Sequence, residues 1–221
     1  SFVVFGKASG FSAGINLSSL DGNNGFRLDG VASFAGLYGY LGFSVSTAGD
    51  VNGDGFDDLI AGAPGMDPNG SSSGSSYVVF GKSSGFGASI EVSSLDGANG
   101  FRLDGVTVQD NSGMSVSGAG DVNGDGFDDV IVGAHGADPN GSYSGSSYVV
   151  FGKQSGFNAS MKLSSLDGKN GLRVDGEAMD DSLGRSVSTA GDVNGDGFDD
   201  VIIGAVGADP HGGFSGSSYV V

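Results

Sequence analysis

Short apolar stretches alternate with breaks rich in Gly, Ser and Asp along the whole chain. Phe43-Ser44-Val45-Ser46 alternates apolar and polar, the period of a half-buried strand. Leu59-Ile60-Ala61-Gly62 reads as a buried strand and Tyr77-Val78-Val79-Phe80 as the next. Phe101-Arg102-Leu103 is a fourth and weaker one. Nowhere are apolar residues sustained at the three- and four-residue spacing of a helix, and Gly or Ser interrupts every candidate. The chain is therefore predicted to be all-β.

The pattern repeats. Asp50-Val51-Asn52-Gly53-Asp54-Gly55-Phe56-Asp57-Asp58 recurs unchanged at residues 121–129 and 192–200, in two steps of 71 residues. Tyr77-Val78-Val79-Phe80-Gly81-Lys82 matches residues 148–153, with outer echoes beginning at Phe2 and Tyr219. The first of those steps is 75 residues, and the four extra residues lie between Gly30 and Gly42. There Phe34, Tyr38 and Tyr40 replace a shorter polar connection. Four short antiparallel strands per repeat is the build of a β-propeller blade. Solenoid repeats are usually about 20–45 residues, shorter than these. The expected organisation is one propeller region over 1–221, with a partial blade at 1–30, full blades at 42–104 and 113–175, and a partial blade at 184–221. About three repeats are too few to close a ring. A longer chain, a ring completed by a second copy, or an open array with strand ends ready for pairing would each resolve this.

Within the nine-residue loop, oxygen-bearing side chains fall at positions 1, 3, 5 and 9: Asp50, Asn52, Asp54 and Asp58. Gly55 permits the sharp turn that wraps them round one point. Phe56 is expected to offer its backbone carbonyl while its ring turns into the core. Such a set of hard, mostly anionic oxygens suits calcium, whereas magnesium demands a tighter octahedron. The equivalent sets are Asp121, Asn123, Asp125, Phe127 and Asp129, then Asp192, Asn194, Asp196, Phe198 and Asp200. About three structural calcium ions, one per repeat, are therefore expected. Position 12 is Ala61, Val132 or Ile203, so the acid that an EF-hand needs on its second helix is missing. The acids at position 8, Asp57, Asp128 and Asp199, are expected to face away from the metal and accept from nearby backbone.

Composition narrows the function. Forty-five Gly with 15 Phe and 38% apolar residues describe many tight turns around a packed core, not a disordered chain. The formal charge of −17 repels phosphate backbones, so no nucleic-acid partner is expected. No apolar run approaches the roughly 18 residues of a helical span, so no membrane insertion is expected. Cysteine is absent, which removes disulfides and thiolate metal sites. His135 and His211 both fall in turns without counterparts in the sister repeats, and the serines crowd into Gly-Ser turns. No nucleophile, base and orienting group can be assembled from them, and no enzyme activity is expected. Asp67-Pro68, Asp138-Pro139 and Asp209-Pro210 read as rigid turns. Asn16, Asn69, Asn140 and Asn158 each begin an Asn-X-Ser acceptor sequence.

Gly42-Phe43-Ser44-Val45, the acidic loop and Gly62-Ala63-Pro64 together resemble the FG-GAP repeat, of bacterial type, that builds the integrin α-like propeller. The name-giving Phe-Gly is inverted here, becoming Gly113-Met114 and Gly184-Arg185 later, and Gly-Ala-Pro survives once. The resemblance implies that the acidic loop joins the first and second strands of each blade, on the face away from the ligand. It also implies an extracellular adhesion or protein/glycan recognition role. Near-identical repeats with open strand ends point instead to a self-assembling structural protein of a surface layer, matrix or filament.

Overall fold

The computed structural model describes residues 1–32 and 39–221, so Phe34 and Tyr38 of the aromatic insertion lie outside the described residues. Fifteen strands are described, with three short 3-10 turns at Leu17–Ser19, Val92–Ser94 and Leu163–Ser165. The first sheet holds β1 (Phe2–Val4) and β2 (Gly25–Asp29). The second runs in space β3 (Val45–Gly49), β4 (Asp58–Ala63), β5 (Ser75–Val79), then β7 (Gly100–Asp104). Between β5 and β7 in the chain lies β6 (Ser89–Glu91), which belongs to the first sheet. The third sheet is β8 (Ser115–Gly120), β9 (Asp129–Ala134), β10 (Ser146–Val150) and β12 (Gly171–Asp175), and β11 (Ser160–Lys162) leaves it to join the second. The fourth is β13 (Leu183–Gly191), β14 (Asp200–Ala205) and β15 (Ser217–Val220).

Strands one to four of the two full blades pair antiparallel, as the alternating pattern predicts. The first strands β3, β8 and β13 lie side by side, so the sheets fan out as an open partial propeller. Ser44 Oγ accepts from Val116 N at 3.1 Å, and Ser115 Oγ from Val187 N at 3.0 Å, which ties these inner strands together.

The core lies between the sheets. Ile60, Val78 and Leu103 of one blade meet Val130, Val132 and Tyr148 of the next, all almost wholly buried. Ile131 and Val149 then meet Val201 and Ile203 in the same way. Because side chains alternate along a strand, a central strand such as β9 is apolar on both faces and packs against two neighbours.

A connection in each of the two full blades reaches backwards. After β5 the chain crosses to the preceding sheet, where Phe86 stacks on Phe26 with centroids 4.5 Å apart. β6 then adds in parallel to β2. The same crossing after β10 stacks Phe157 on Phe101 at 4.7 Å and lays β11 along β7. Lys82 and Lys153 sit over these rings, 5.0 and 4.9 Å from the centroids. On the outer strands Arg27–Asp29, Arg102–Asp104 and Arg173–Asp175 pair two residues apart, at 2.6, 2.5 and 2.8 Å.

Candidate metal loops and the opposite face

Each acidic loop joins the first and second strands of its blade: β3 to β4, β8 to β9 and β13 to β14. A bulge precedes every loop, between Thr47 and Gly49, Gly118 and Gly120, and Thr189 and Gly191. The loop then curls round the carboxylate at position 1. Asp50 accepts from Asp54 N at 3.0 Å and from Gly55 N at 2.8 Å. Asn52 Oδ1 accepts from Asp54 N at 2.9 Å, and Asp54 Oδ1 from Phe56 N at 3.0 Å. Asp121, Asn123 and Asp125 repeat these bonds, as do Asp192, Asn194 and Asp196. Positions 1, 3 and 5 are thereby brought together three times.

The carboxylate at position 9 differs from the rest, being sealed inside. Asp58 is fully buried and accepts from Val51 N at 3.0 Å and Gly81 N at 2.8 Å. Asp129 is held identically by Val122 N and Gly152 N, at 3.0 and 2.8 Å. Burial pushes both carboxyls up to about 7, against the pull of the two amides and with help from the loop's other carboxylates. Asp200 keeps the bond to Val193 N at 2.8 Å but is less buried.

The donor set of three aspartates, one asparagine and a main-chain carbonyl is of the oxygen kind that a hard cation takes. Among the described residues, however, three or more carboxylate or imidazole side chains are nowhere gathered into a preformed metal cluster. The oxygens instead accept backbone N–H groups, one bond each at most positions, which leaves further lone pairs on every carboxylate.

The ring at position 7 does not enter its own blade. Phe56 is 42% exposed and Phe198 46%, while Phe127 is half-buried. Phe127 lies against Gly53 of the preceding loop, and Phe198 against Gly124. The expectation of a core ring missed this because the partner is a glycine one blade away. The acids at position 8 also reach backwards. Asp128 Oδ2 accepts from Asp50 N at 2.7 Å, and Asp199 Oδ2 from Asp121 N at 3.0 Å.

The opposite edge of the fan carries the connections from second to third strand and from blade to blade. Asp67 Oδ1 accepts from Ser72 N at 2.7 Å, Asp138 Oδ1 from Tyr143 N at 2.7 Å, and Asp209 Oδ1 accepts from Phe214 N. The residue so held is left-handed each time: φ is 51° at Ser72, 54° at Tyr143 and 56° at Phe214. Tyr40, Gln109, Asn111, Asp180 and Ser182 are left-handed too. All eight non-glycine residues with positive φ among the described residues stand on this edge, whereas the acidic loops use glycine. Tyr40, Tyr143 and Phe214 are 58%, 45% and 79% exposed, and Val108, Met179 and Val206 stand out beside them.

His135 is buried near this edge with Nε2 3.1 Å from Arg185 Nη1, and burial followed by the guanidinium lowers its pKa. Its Nδ1 has no partner. His211 is exposed, its backbone N–H donating to Ser215 Oγ at 3.3 Å. The acceptor asparagines Asn69 and Asn140 donate to Gly105 O and Gly176 O, at 2.6 and 2.8 Å. Asn16 and Asn158 are exposed.

A family model described as FG-GAP repeat matches residues 41–79, 112–150 and 183–221. Integrin alpha-V of Gallus gallus is 31% identical over 193 residues, covering 84% of this chain and 17% of the integrin. Integrin alpha-4 of Xenopus laevis is 32% identical over 172 residues, covering 76% of this chain and 14% of that protein. Phosphatidylinositol-glycan-specific phospholipase D of Bos taurus is 32% identical over 193 residues, covering 82% of this chain and 21% of the phospholipase. The chain thus spans between about a seventh and about a fifth of the length of these relatives. No helix among the described residues is long and apolar enough to cross a membrane.

Proposed function

Because the chain belongs to the FG-GAP repeat family, we propose that it is an extracellular propeller module for adhesion, recognising a protein or glycan and stapled by calcium. One observation carries the recognition reading: all eight left-handed non-glycine residues among the described residues gather on a single edge, where Tyr40, Tyr143 and Phe214 are exposed among them. Strained backbone persists where the surroundings over-determine it, and here an aspartate bond fixes Tyr143 and Phe214 before any ligand arrives. Preset aromatics bury much area at low entropic cost. The integrin alpha relatives support the same reading by similarity.

Calcium is assigned the opposite edge, held by Asp50, Asn52, Asp54, the Phe56 carbonyl and Asp58 and by the two equivalent sets. Its contribution there is charge neutralisation and crosslinking of the loop. The chain's own part is to curl positions 1, 3 and 5 together and to hold position 9 rigidly from behind.

The test is binding of the chain to panels of matrix proteins and glycans, beside a Tyr143→Ser, Phe214→Ser variant. The expected result is a defined ligand whose binding falls at least tenfold in the variant at unchanged melting temperature, a loss of about 1.4 kcal/mol. A ligand bound equally well by the variant overturns the assignment of this edge.

A second reading, self-assembly into a layer, matrix or filament, is favoured by a different observation. Phe2 and Val4 on one side and Ile202 and Val220 on the other are 47%, 41%, 37% and 51% exposed. Their counterparts Tyr77, Val79, Ile131 and Val149 are buried between blades. Light scattering separates the readings: a concentration-dependent polymer supports assembly, and a monomer at all concentrations removes it.

A further inference from the structure

The three acidic loops have the same sequence but not the same surroundings. Asp50 N–H donates to the Asp128 carboxylate at 2.7 Å, and Asp128 N–H donates back to Asp50 O at 3.3 Å. Asp121 and Asp199 repeat this two-way clamp, at 3.0 and 3.2 Å. Beside it, a Cβ on Gly53 would meet the Phe127 ring at 2.3 Å, and one on Gly124 the Phe198 ring at 2.3 Å. A Cβ on Gly49 or Gly120 would collide with the clamping carboxylate itself, at 2.3 and 2.1 Å. The third loop has none of this among the described residues. Around Gly191 and Gly195 nothing comes within 4 Å, and Val193 is 63% exposed where Val51 is 1%. At position 8, Asp57 is exposed, whereas Asp128 and Asp199 are half-buried.

The clamp acts where the loop is organised. Position 1 supplies the carboxylate round which positions 5 and 6 curl, and the clamp fixes that residue's backbone from both sides. We propose that Asp128 and Asp199 are positioning residues, each presetting the cation loop of the preceding blade, so that a loop's affinity is set by its neighbour. This rests on the calcium reading given above. A preset loop has less ordering to lose when the ion arrives, so it binds more tightly than the same sequence unbraced. Loops 50–58 and 121–129 are accordingly the tight pair, and loop 192–200 is the weak one in this chain. Identical motifs would then differ in affinity through the blade beside each loop.

The experiment is a calcium titration of the 221-residue chain followed by amide NMR, reading Gly55, Gly126 and Gly197 as separate reporters. Gly55 and Gly126 are expected to saturate at about tenfold lower calcium than Gly197, the size of one charge-assisted hydrogen bond. Asp199→Ala should move the Gly126 midpoint to that of Gly197 and leave Gly55 in place. Asp199→Asn keeps an acceptor without the charge and should stay within about threefold of the parent. Asp57→Ala, which has no preceding loop in this chain, should move no midpoint. Three equal midpoints overturn the clamp, as does an Asp57→Ala loss equal to that of Asp199→Ala. An Asp199→Asn chain that behaves like Asp199→Ala also overturns it, since charge and not the bond would then be acting. If no reporter shifts up to about 10 mM calcium, it is the calcium reading that fails. Faster hydrogen exchange at Asp121 N in Asp199→Ala would then still locate the clamp as a structural contact.

Discussion

Asp58 and Asp129 are the residues at which folding and charge oppose one another. Each is wholly buried with two amide donors and no cation partner among the described residues, and each is raised to about 7. The unfolded chain ionises them near 3.8, so between about pH 4 and 7 the folded state holds more protons than the unfolded one. Stability therefore falls as pH rises through that window, at no more than about 1.4 kcal/mol per pH unit for each carboxylate and less where solvent screens it. His135 pulls the other way: its folded pKa is lowered, so its contribution is lost as pH falls below the ordinary histidine value of about 6.5. Two carboxylates outweigh one imidazole. In chelator the melting temperature should be higher at pH 5 than at pH 7.5. Calcium should reverse the order, because the ion requires the ionised carboxylates that acid removes. Calorimetry at the two pH values, with and without calcium, checks both signs.

At the scale of elements, the backward-reaching connection holds one sheet to the next through a stacked ring pair and a three-residue parallel strand. Phe157 on Phe101 and Phe86 on Phe26 make the contact twice. Phe11 occupies the same place in the first copy, with Lys7 over its ring, yet is 53% exposed. Phe157→Ala should cost about 2 kcal/mol or more, and Phe11→Ala within about 0.5 kcal/mol. Urea unfolding of both variants measures the difference, and equal losses would deny the connection its bracing role. Much else at this scale was legible in the sequence. The alternation at Val45, the buried run at Ile60 and the Tyr77-Val78-Val79 stretch fall in β3, β4 and β5, because their period and β-branched content leave few alternatives. The acidic loop announced itself through spacing. What sequence could not reveal is the destination of a side chain that leaves its own blade. Gly-Phe followed by Ser-Ile-Glu looks like an ordinary connection until β2 lies beside it. The same holds for position 7, where the ring finds a glycine of the preceding loop, and for position 8, whose backbone partner is 78 residues away. A repeat encodes such contacts only through its neighbour, and near-identity of the copies hides which copy supplies which half.

The whole molecule is a stack of sheets whose cores lie between neighbours, so each blade is stable only in company, as in other repeat arrays. Against that cohesion stands a charge of −17, with twelve of the 26 acids packed into three loops on one edge. Those loops touch through Asp50 and Asp128 and through Asp121 and Asp199, so their repulsion falls on the same interfaces that carry the core. Three divalent ions would reduce the charge to −11 and place the neutralisation where the crowding is greatest. Simple salt can only screen it, with a Debye length of about 10 Å at 0.1 M. The two remedies should therefore substitute for one another. In chelator, the melting temperature should climb steadily as sodium chloride rises from about 0.02 to about 0.5 M, a range over which the Debye length shortens more than fourfold. In calcium at about a hundred times the dissociation constant, each filled loop adds about 2.7 kcal/mol, and the salt dependence should flatten. Calorimetry across the salt series decides between this and a purely packed fold. A melting temperature indifferent to both salt and calcium would mean that the acidic edge bears no load in folding, whereas a salt slope that calcium leaves intact would put the repulsion outside the loops.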